Sequence, residues 1–543
     1  MTPSKGRFSF LLPLTCLIGS VAAAPLEEFV TRQSNLLACV RSVFGNTSDA
    51  RIVGPTDPTF TDARLGEKIQ FDEFPSLIVF AEDVSEVPAL VNCAQKSGIR
   101  AVPRTGGHHF EAYSTLTDTM TIDISHINYV QVSEDRNTAV VGAGIRLGAL
   151  YNVLWKHERS FNGGICPTVG LSGFLSSGGF SNQMRDMGLG IDYIQSAKVV
   201  LANGQLVTAS ASENPDLFWA VKGGGGGTYG IVVEYVLEVL EYPRSSMVLI
   251  NWNETDTNTV RYDVAKRFLD WAPRQDRRFT SQVNVYGTTV QVVGQFLNAT
   301  GEELTALIND SGLLTIGKPE PIIDGGCNQL NSRLFGYTTF DCQADNEVDP
   351  LITNVVPQAF EPVGNYPRFG YNDVPADPAA PVAPAWPRFW RIAKSFIVQK
   401  DNLLPDDALR NVIDRIAQLP PEASAWGEWH AWNLSSTADG SDAFAWRDQA
   451  YAHLEFQIRG SDDMDVQNGY HDWMADLEGY LRPIVGPASY TGYADSKISV
   501  NPLESYFGNN VCKLINVKNQ YDPGNFFQNP ASIPVRAENG LTC

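Results

Sequence analysis

The chain has too few cations to balance its acids: 40 Lys and Arg face 61 Asp and Glu, a formal charge of −21 over 543 residues. A surface of that sign repels polyanions, which speaks against nucleic acid and against an anionic membrane surface as partners. Beyond the first 24 residues no run of about 18 or more apolar residues occurs, so nothing else in the chain asks for a bilayer. No Gly-Lys-Ser/Thr follows a glycine loop, so a Walker A phosphate site is excluded. His-Glu-x-x-His and Cys-x-x-Cys are both missing, which leaves a metal site without support. The Gly-x-Ser-x-Gly nucleophile elbow is missing too, and no segment repeats internally.

What is present describes an exported, folded protein. The hydrophobic share of 43% with 19% charged residues can bury a core, and the length suggests two domains. Residues 1–24 read as a signal peptide: Lys5 and Arg7 precede the apolar stretch Phe8 to Val21, and Ala22, Ala23 and Ala24 offer a cleavage site. Sequons at Asn46, Asn253, Asn298, Asn309 and Asn433 predict glycosylation. Cys16 leaves with the leader, and seven cysteines remain. Cys327 and Cys342 would close a short loop; Cys39 with Cys93, and Cys512 with Cys543, are candidate partners by exclusion. Cys166 is left over, as a free thiol or a residue engaged in other chemistry.

A strand–helix–strand unit is legible from Pro75 to Thr105. Leu77 to Phe80 is the first strand, and Asp83 or Ser85 caps a helix carrying Val87, Leu90, Val91 and Ala94 at helical spacing. Gly98 ends that helix, and a second strand begins at Ile99. Strands follow at Met120 to Ile124 and Thr138 to Val141, then a helix from Leu147 to His157. Asn203-Gly204 signals a two-residue hairpin, and Ile231 to Leu240 closes the first domain. Beyond about residue 245, alternating segments (Ser281 to Val285, Val290 to Phe296) and the helix Asn258 to Trp271 predict antiparallel sheet with helices. Residues 373–387 form a proline-rich extended loop.

Three glycine-rich loops fall within the first domain: Arg104-Thr105-Gly106-Gly107-His108-His109, the run Gly163 to Gly179, and Gly223 to Gly230. Backbone amides free of side chains are what a pyrophosphate needs, so three such loops point to a large phosphorylated cofactor. Gly225, Gly227 and Gly230 fit Gly-x-Gly-x-x-Gly, but they lie between a helix and a strand, the reverse of a nicotinamide fingerprint.

These loops, with Arg104 to Ser114 (RTGGHHFEAYS), Asp216 to Gly230 (DLFWAVKGGGGGTYG) and Asn510 to Pro534, resemble the berberine bridge enzyme-like branch of the vanillyl-alcohol oxidase flavoproteins. The resemblance is thin between about 245 and 480, where Ala443-Phe444-Ala445-Trp446-Arg447 has Trp in place of the family's usual His. It implies an α+β fold: a discontinuous PCMH-type FAD-binding domain (25–245, completed by 500–543) around a substrate domain (246–499) of antiparallel sheet covered by helices. It implies FAD held through His108 to the 8α-methyl group and through Cys166 to C6, with His109 the neighbouring alternative to His108. It implies a cofactor-binding set of Arg104, Thr105, Gly106, Gly107, His109, Gly164, Val169, Gly170, Gly173, Gly178, Gly179, Gly227, Gly230, Ile231 and Asn525.

Val169 resembles the small residue found in oxidases, which implies dioxygen as acceptor. Tyr493 would be the catalytic base, in a segment where Gly492 replaces the usual Asn. A free tyrosine has a pKa of about 10, so that role asks for a positive neighbour or a hydrogen bond that stabilises phenolate. The expected reaction is oxidation of an oligosaccharide C1 hydroxyl to a lactone with formation of hydrogen peroxide. Trp426, Trp429, Trp432 and Trp446 are candidates to stack on sugar rings. The alternative substrate is a small secondary metabolite or aromatic alcohol.

Overall fold

A computed structural model describes residues 26–166, 168–241, 244–253, 258–327, 390–420, 423, 425–434, 440–460, 463–537 and 543. The leader, Cys342 and the proline-rich stretch 373–387 lie outside the described residues, so the Cys327–Cys342 pairing is not addressed.

The first body starts from the short strand Leu77–Phe80, whose four residues are all buried, as befits a strand covered on both faces. It runs parallel to Met120–Asp123, which in turn pairs in parallel with Ala101–Arg104. Ile52–Val53 completes this four-stranded sheet antiparallel to Leu77–Phe80. The crossover helix Glu86–Lys96 buries Val87, Leu90, Val91, Cys93 and Ala94. Asp83 accepts the Ser85 N–H at 2.8 Å just before it, and Gly98 ends it at φ +64°. Cys39–Cys93 ties this helix to the N-terminal helix Leu26–Phe44.

A five-stranded antiparallel sheet lies alongside, with Ile231–Glu238 at its centre between Thr138–Gly142 and Ile194–Val200. The hairpin Ile194–Val200/Leu206–Ser210 departs from the two-residue expectation. Leu201 N–H donates to Gln205 at 2.8 Å, and Gly204 at φ +77° follows Ala202 and Asn203 in a three-residue loop. The right-handed strand twist accepts that geometry equally well.

The second body is one seven-stranded antiparallel sheet. Its spatial order is Glu320–Cys327, Ser245–Trp252, Val290–Leu297, Phe279–Tyr286, Ala425–Ala431, Ala450–Arg459 and Arg391–Gln399. Side chains alternate between its faces. Val283, Val285, Trp429, Leu454 and Phe456 pack in a core with helices Asn258–Trp271, Asp406–Gln418 and Met464–Val485. The intervening positions Gln282, Asn284, His430, Glu455 and Gln457 are polar and buried on the opposite side. A polar row survives burial only where it meets partners or a ligand. The α+β architecture expected from the sequence is the one found.

The chain's last segment returns to the first body. Helix Val511–Tyr521 contributes Val511, Leu514, Ile515 and Val517 to that body's core. Its Lys518 ammonium donates to the Thr228 carbonyl at 2.8 Å, so it grips the third glycine loop from behind. Cys512–Cys543 fixes the end of the chain.

Candidate active site

A cavity of about 780 Å³ opens between the polar face of the seven-stranded sheet and the glycine loops of the first body. That is within the usual range for a cofactor or substrate pocket. The wall carries Arg104, Thr105, Gly106, Gly107, His108, His109, Gly164, Cys166, Val169, Gly170, Gly173, Gly227, Gly230, Ile231 and Tyr493. One constellation thus gathers residues up to hundreds of positions apart.

Three residues of the expected set stand elsewhere. Gly178 (φ +111°) and Gly179 (φ +73°) form the turn after helix Leu171–Ser176 and pack on Phe444 and Phe174. The Phe180 ring that follows this turn packs edge-on against the Tyr490 ring at 5.1 Å between centroids. Asn525 (φ +51°) sits in the turn closed by Asp522. From the same C-terminal segment it is Asn529 that reaches the wall.

The two loops bearing His108 and Cys166 are in direct contact. His108 Nε2 lies 2.9 Å from the Thr168 hydroxyl, and a Cβ on Gly106 would come within 2.3 Å of the Gly170 nitrogen. Only glycine permits that approach. Gly106→Ala is expected to destabilise the fold by about 1–3 kcal/mol through overpacking and to lower the flavin-to-protein ratio of the purified protein. Thermal melting and visible absorbance would show it. Arg104 fixes the start of the loop with Asp123 at 2.5 Å and the Ala63 carbonyl at 2.7 Å. Burial and the Lys68 charge hold both His108 and His109 below the usual histidine range, His109 at about 4. Both are therefore neutral, and a neutral imidazole is a nucleophile. Cys166 is a free thiol whose exposed surface opens on the cavity. The protein surrounding it raises its pKa, and Arg391 opposes that rise.

Facing the loops, Tyr493 is enclosed by aromatic rings: Phe110 at 5.2 Å, Tyr490 at 5.4 Å, His453 at 5.6 Å and Phe180 at 6.0 Å between centroids. Burial with the Glu455 and Glu428 charges pushes the Tyr493 pKa well above 10. Glu455 is itself raised well above the carboxylate range by burial and by Glu428. Burial also pushes Glu428 up, but the His430 ring, its Nε2 3.1 Å away, outweighs it and holds Glu428 low. The two carboxyls are cross-strand partners in direct register. Their environments push them apart, the arrangement that separates a proton acceptor from a fixed anion. Glu428, His430 and Glu455 offer atoms within 4.8 Å of one another, a spacing a cation could use.

Glu428, Glu455, Lys68 and Arg391 are absent from the sequence-derived set. Alternation in Trp426-x-Glu428-x-His430 and in His453-x-Glu455-x-Gln457-x-Arg459 was the available signal, since one strand face carrying only polar residues and Trp cannot face a core. The two departures from the family pattern are held by local contacts: the Trp446 indole N–H donates to the Ser505 carbonyl at 2.9 Å. At Gly492 a Cβ would sit 2.3 Å from the Tyr490 ring. Arg447 is turned away from the cavity into a bond with Asp192 at 2.6 Å and Asp442 at 2.9 Å. Of the four tryptophans, only Trp426 lines the cavity; Trp429, Trp432 and Trp446 are buried in core packing.

Residues 75–210 match the family described as FAD binding domain, and residues 489–534 match that described as Berberine and berberine like. FAD-linked oxidoreductase pynB of Aspergillus niger is 53% identical over 534 residues, 97% of this chain and 98% of the relative. The chain belongs to the berberine bridge enzyme-like FAD-linked oxidoreductases. Two solved structures share the fold of this oxidoreductase. Physcomitrella patens BBE-like 1 aligns with a TM-score of 0.77 at 24% identity, over 93% of this chain and 100% of that one. The glucooligosaccharide oxidase of Acremonium strictum, which has a 6-S-cysteinyl, 8α-N1-histidyl FAD, aligns at 0.75 and 20% identity, over 93% of this chain and 100% of that one. The residues present fit FAD. The three glycine loops all reach one wall, and at Gly173 a Cβ would meet no protein atom within 4 Å, only the cavity.

Proposed function

We propose that this oxidoreductase holds FAD covalently through His108 and Cys166, oxidises an alcohol carbon of a small planar substrate, and passes the electrons to dioxygen. The observation that carries this reading is the placement of Tyr493, within reach of the charge of the buried Glu455 carboxyl, on the cavity wall that also bears His108 and Cys166. When bound, the flavin supplies the two-electron acceptor and its reoxidation by dioxygen yields hydrogen peroxide.

The chain's own share is placement and proton transfer. The phenol of Tyr493 accepts the substrate hydroxyl proton as it gives its own to a Glu455 carboxylate oxygen. A tyrosine of raised pKa then acts as a relay, and no free phenolate is needed. Glu428 stays anionic beside His430 and keeps Glu455 basic. Phe110, Phe180 and Tyr490 exclude water around the relay. Val169 leaves a small side chain on the wall, in keeping with access for dioxygen.

The ring enclosure of Tyr493 favours a planar or aromatic alcohol. A second reading, the C1 hydroxyl of an oligosaccharide, rests on the amide-rich row Gln282, Asn284, Gln291 and Gln457 on the opposite wall. An oxygen-uptake screen of the purified protein against aromatic alcohols, mono- and oligosaccharides decides. Peroxide with aromatic alcohols alone is expected; uptake with sugars alone would replace the first reading by the second, and uptake with neither would remove both.

Export and glycosylation belong to the same proposal. Asn46, Asn253, Asn298 and Asn309 are exposed. Asn433 is half-buried and its amide donates to the Pro273 carbonyl at 2.9 Å. Among the described residues no helix is long and apolar enough to cross a membrane.

A further inference from the structure

Three metal-ligating side chains meet on the polar face of the seven-stranded sheet, brought together by strand pairing and so invisible to motif spacing. Glu428 and His430 are two apart on one strand and share its cavity face, and Glu455 stands directly opposite Glu428 in register. One atom of each lies within 4.8 Å of the other two. His430 is 2% exposed and Glu455 0%. Among the described residues, neither ring nitrogen of His430 nor the Oε2 of Glu455 has a hydrogen-bond partner; Glu428 Oε1 stands 3.1 Å from His430 Nε2, outside hydrogen-bond geometry. Buried polar atoms are nearly always bonded, so orphans side by side ask for a ligand that they share. The carboxyls add to this, because like charges opposite each other in a sheet are destabilising unless something neutralises them. Arg391 acts on both, but it also stands 3.4 Å from Glu67. A proton on Glu455 relieves the repulsion and leaves the His430 ring unbonded; a divalent cation satisfies all three.

We infer that Glu428, His430 and Glu455 form a binding site for a divalent transition cation of the zinc class. Three protein ligands of imidazole and carboxylate type with a fourth position open are the donor set of an open zinc centre. Magnesium and calcium take six or more ligands, nearly all oxygen, and an imidazole donor disfavours them. Ligand atoms around one zinc stand about 3.4 Å apart at bond lengths of about 2.1 Å, so Glu428 and His430 are already at that spacing and Glu455 needs only a side-chain adjustment. Gln457 Nε2 donates to the other oxygen of Glu455 at 2.6 Å and orients that carboxyl, as partners of metal ligands do. Glu428 and His430 line the cavity, which gives the ion its way in. An oxygen that holds the cation cannot accept a proton from Tyr493, so the bound ion blocks the relay. The block rests on the relay proposed above; the site does not.

Calorimetric titration of the tag-free holoenzyme, dialysed against EDTA and then buffer, with zinc chloride tests this. One strongly bound ion per chain is expected, with no heat from magnesium chloride at the same concentration. His430→Gln and Glu455→Gln are each expected to weaken zinc binding roughly hundredfold or more, since losing even an outer partner of a metal ligand costs about 10–100-fold. Thermal melting of each variant controls for folding, and the comparison of the two metals on the native protein needs no variant. No zinc binding by the native protein, equal binding of magnesium, or an ion held as tightly by both folded variants would overturn the site. Oxygen uptake on the alcohol found by the screen is expected to stop with zinc and to return with EDTA. Zinc bound at the site with uptake unchanged would overturn the block, and zinc bound in a protein that gives no peroxide would sink the oxidase reading alone.

Discussion

Tyr493→Phe is expected to lower kcat by roughly 10²–10⁴-fold on the substrate found by oxygen uptake, with the yellow colour retained. The phenylalanine keeps the ring contacts to Phe110 and His453 and removes only the relay oxygen. Glu455→Gln is expected to cost about as much, because the amide cannot accept the proton that Tyr493 passes on. The pH dependence separates this account from one in which Tyr493 works alone. Glu455 acts when deprotonated, so the rate rises with pH as its carboxyl ionises. Burial and Glu428 hold that ionisation well above the ordinary carboxylate range. The ascending limb of kcat/KM is expected above the usual glutamate value of about 4.3. Glu428→Gln removes the neighbouring like charge and is expected to move that limb to lower pH. A limb that ignores both glutamate substitutions would rule out Glu455 as the acceptor.

The second large effect concerns the grip of the C-terminal return on the cofactor loop. Lys518 and Asp522 are both 0% exposed and lie 2.6 Å apart. The Asp522 carboxylate also accepts the Phe526 and Phe527 N–H groups at 2.9 and 2.8 Å. Lys518 donates to the Thr228 and Phe527 carbonyls as well. Asp522→Ala leaves a buried ammonium without its counter-charge, at an expected cost of about 3–5 kcal/mol and with loss of flavin as the loop around Thr228 loosens. Burial already holds Lys518 below the usual lysine range, against the Asp522 charge. Without Asp522 the folded state sheds that proton more easily than the unfolded chain does. Stability rises with pH wherever the unfolded state binds more protons, so the deficit should shrink as the pH rises toward the ordinary lysine pKa. Chemical denaturation at neutral and alkaline pH measures this; a deficit unchanged with pH would show that the lost N–H acceptors, not the stranded charge, set the cost.

The first body was legible because its signals are local. The run Leu77–Phe80, the spacing Val87–Leu90–Val91–Ala94 and the stop at Gly98 each encode one element, and all three stand where the sequence places them. The glycine loops were legible as a group, since a loop that must approach a phosphate or another backbone leaves its mark in composition. Position within a loop was less so. Gly178 and Gly179 share the composition of the wall residues, and only tertiary packing against Phe444 and Phe174 turns them away.

The substrate wall was the least legible part. Glu428 and Glu455 meet because strands 425–431 and 450–459 pair in one particular register, and nothing local in either strand states its partner. The tryptophans misled for a related reason. Trp429 and Trp426 are three residues apart on one strand, so they face opposite sides of the sheet, one into the core and one into the cavity. Cysteine counting did better, because parity is a property of the whole chain. Cys39–Cys93 and Cys512–Cys543 are formed, and Cys166 remains free at the cavity wall.

The central claim is a flavin tethered from both loops, and peptide mass spectrometry of the digested yellow protein tests it directly. The peptides containing His108 and Cys166 are expected to appear as one cross-linked species whose mass includes a single FAD. Recovery of both peptides at their unmodified masses would contradict the account.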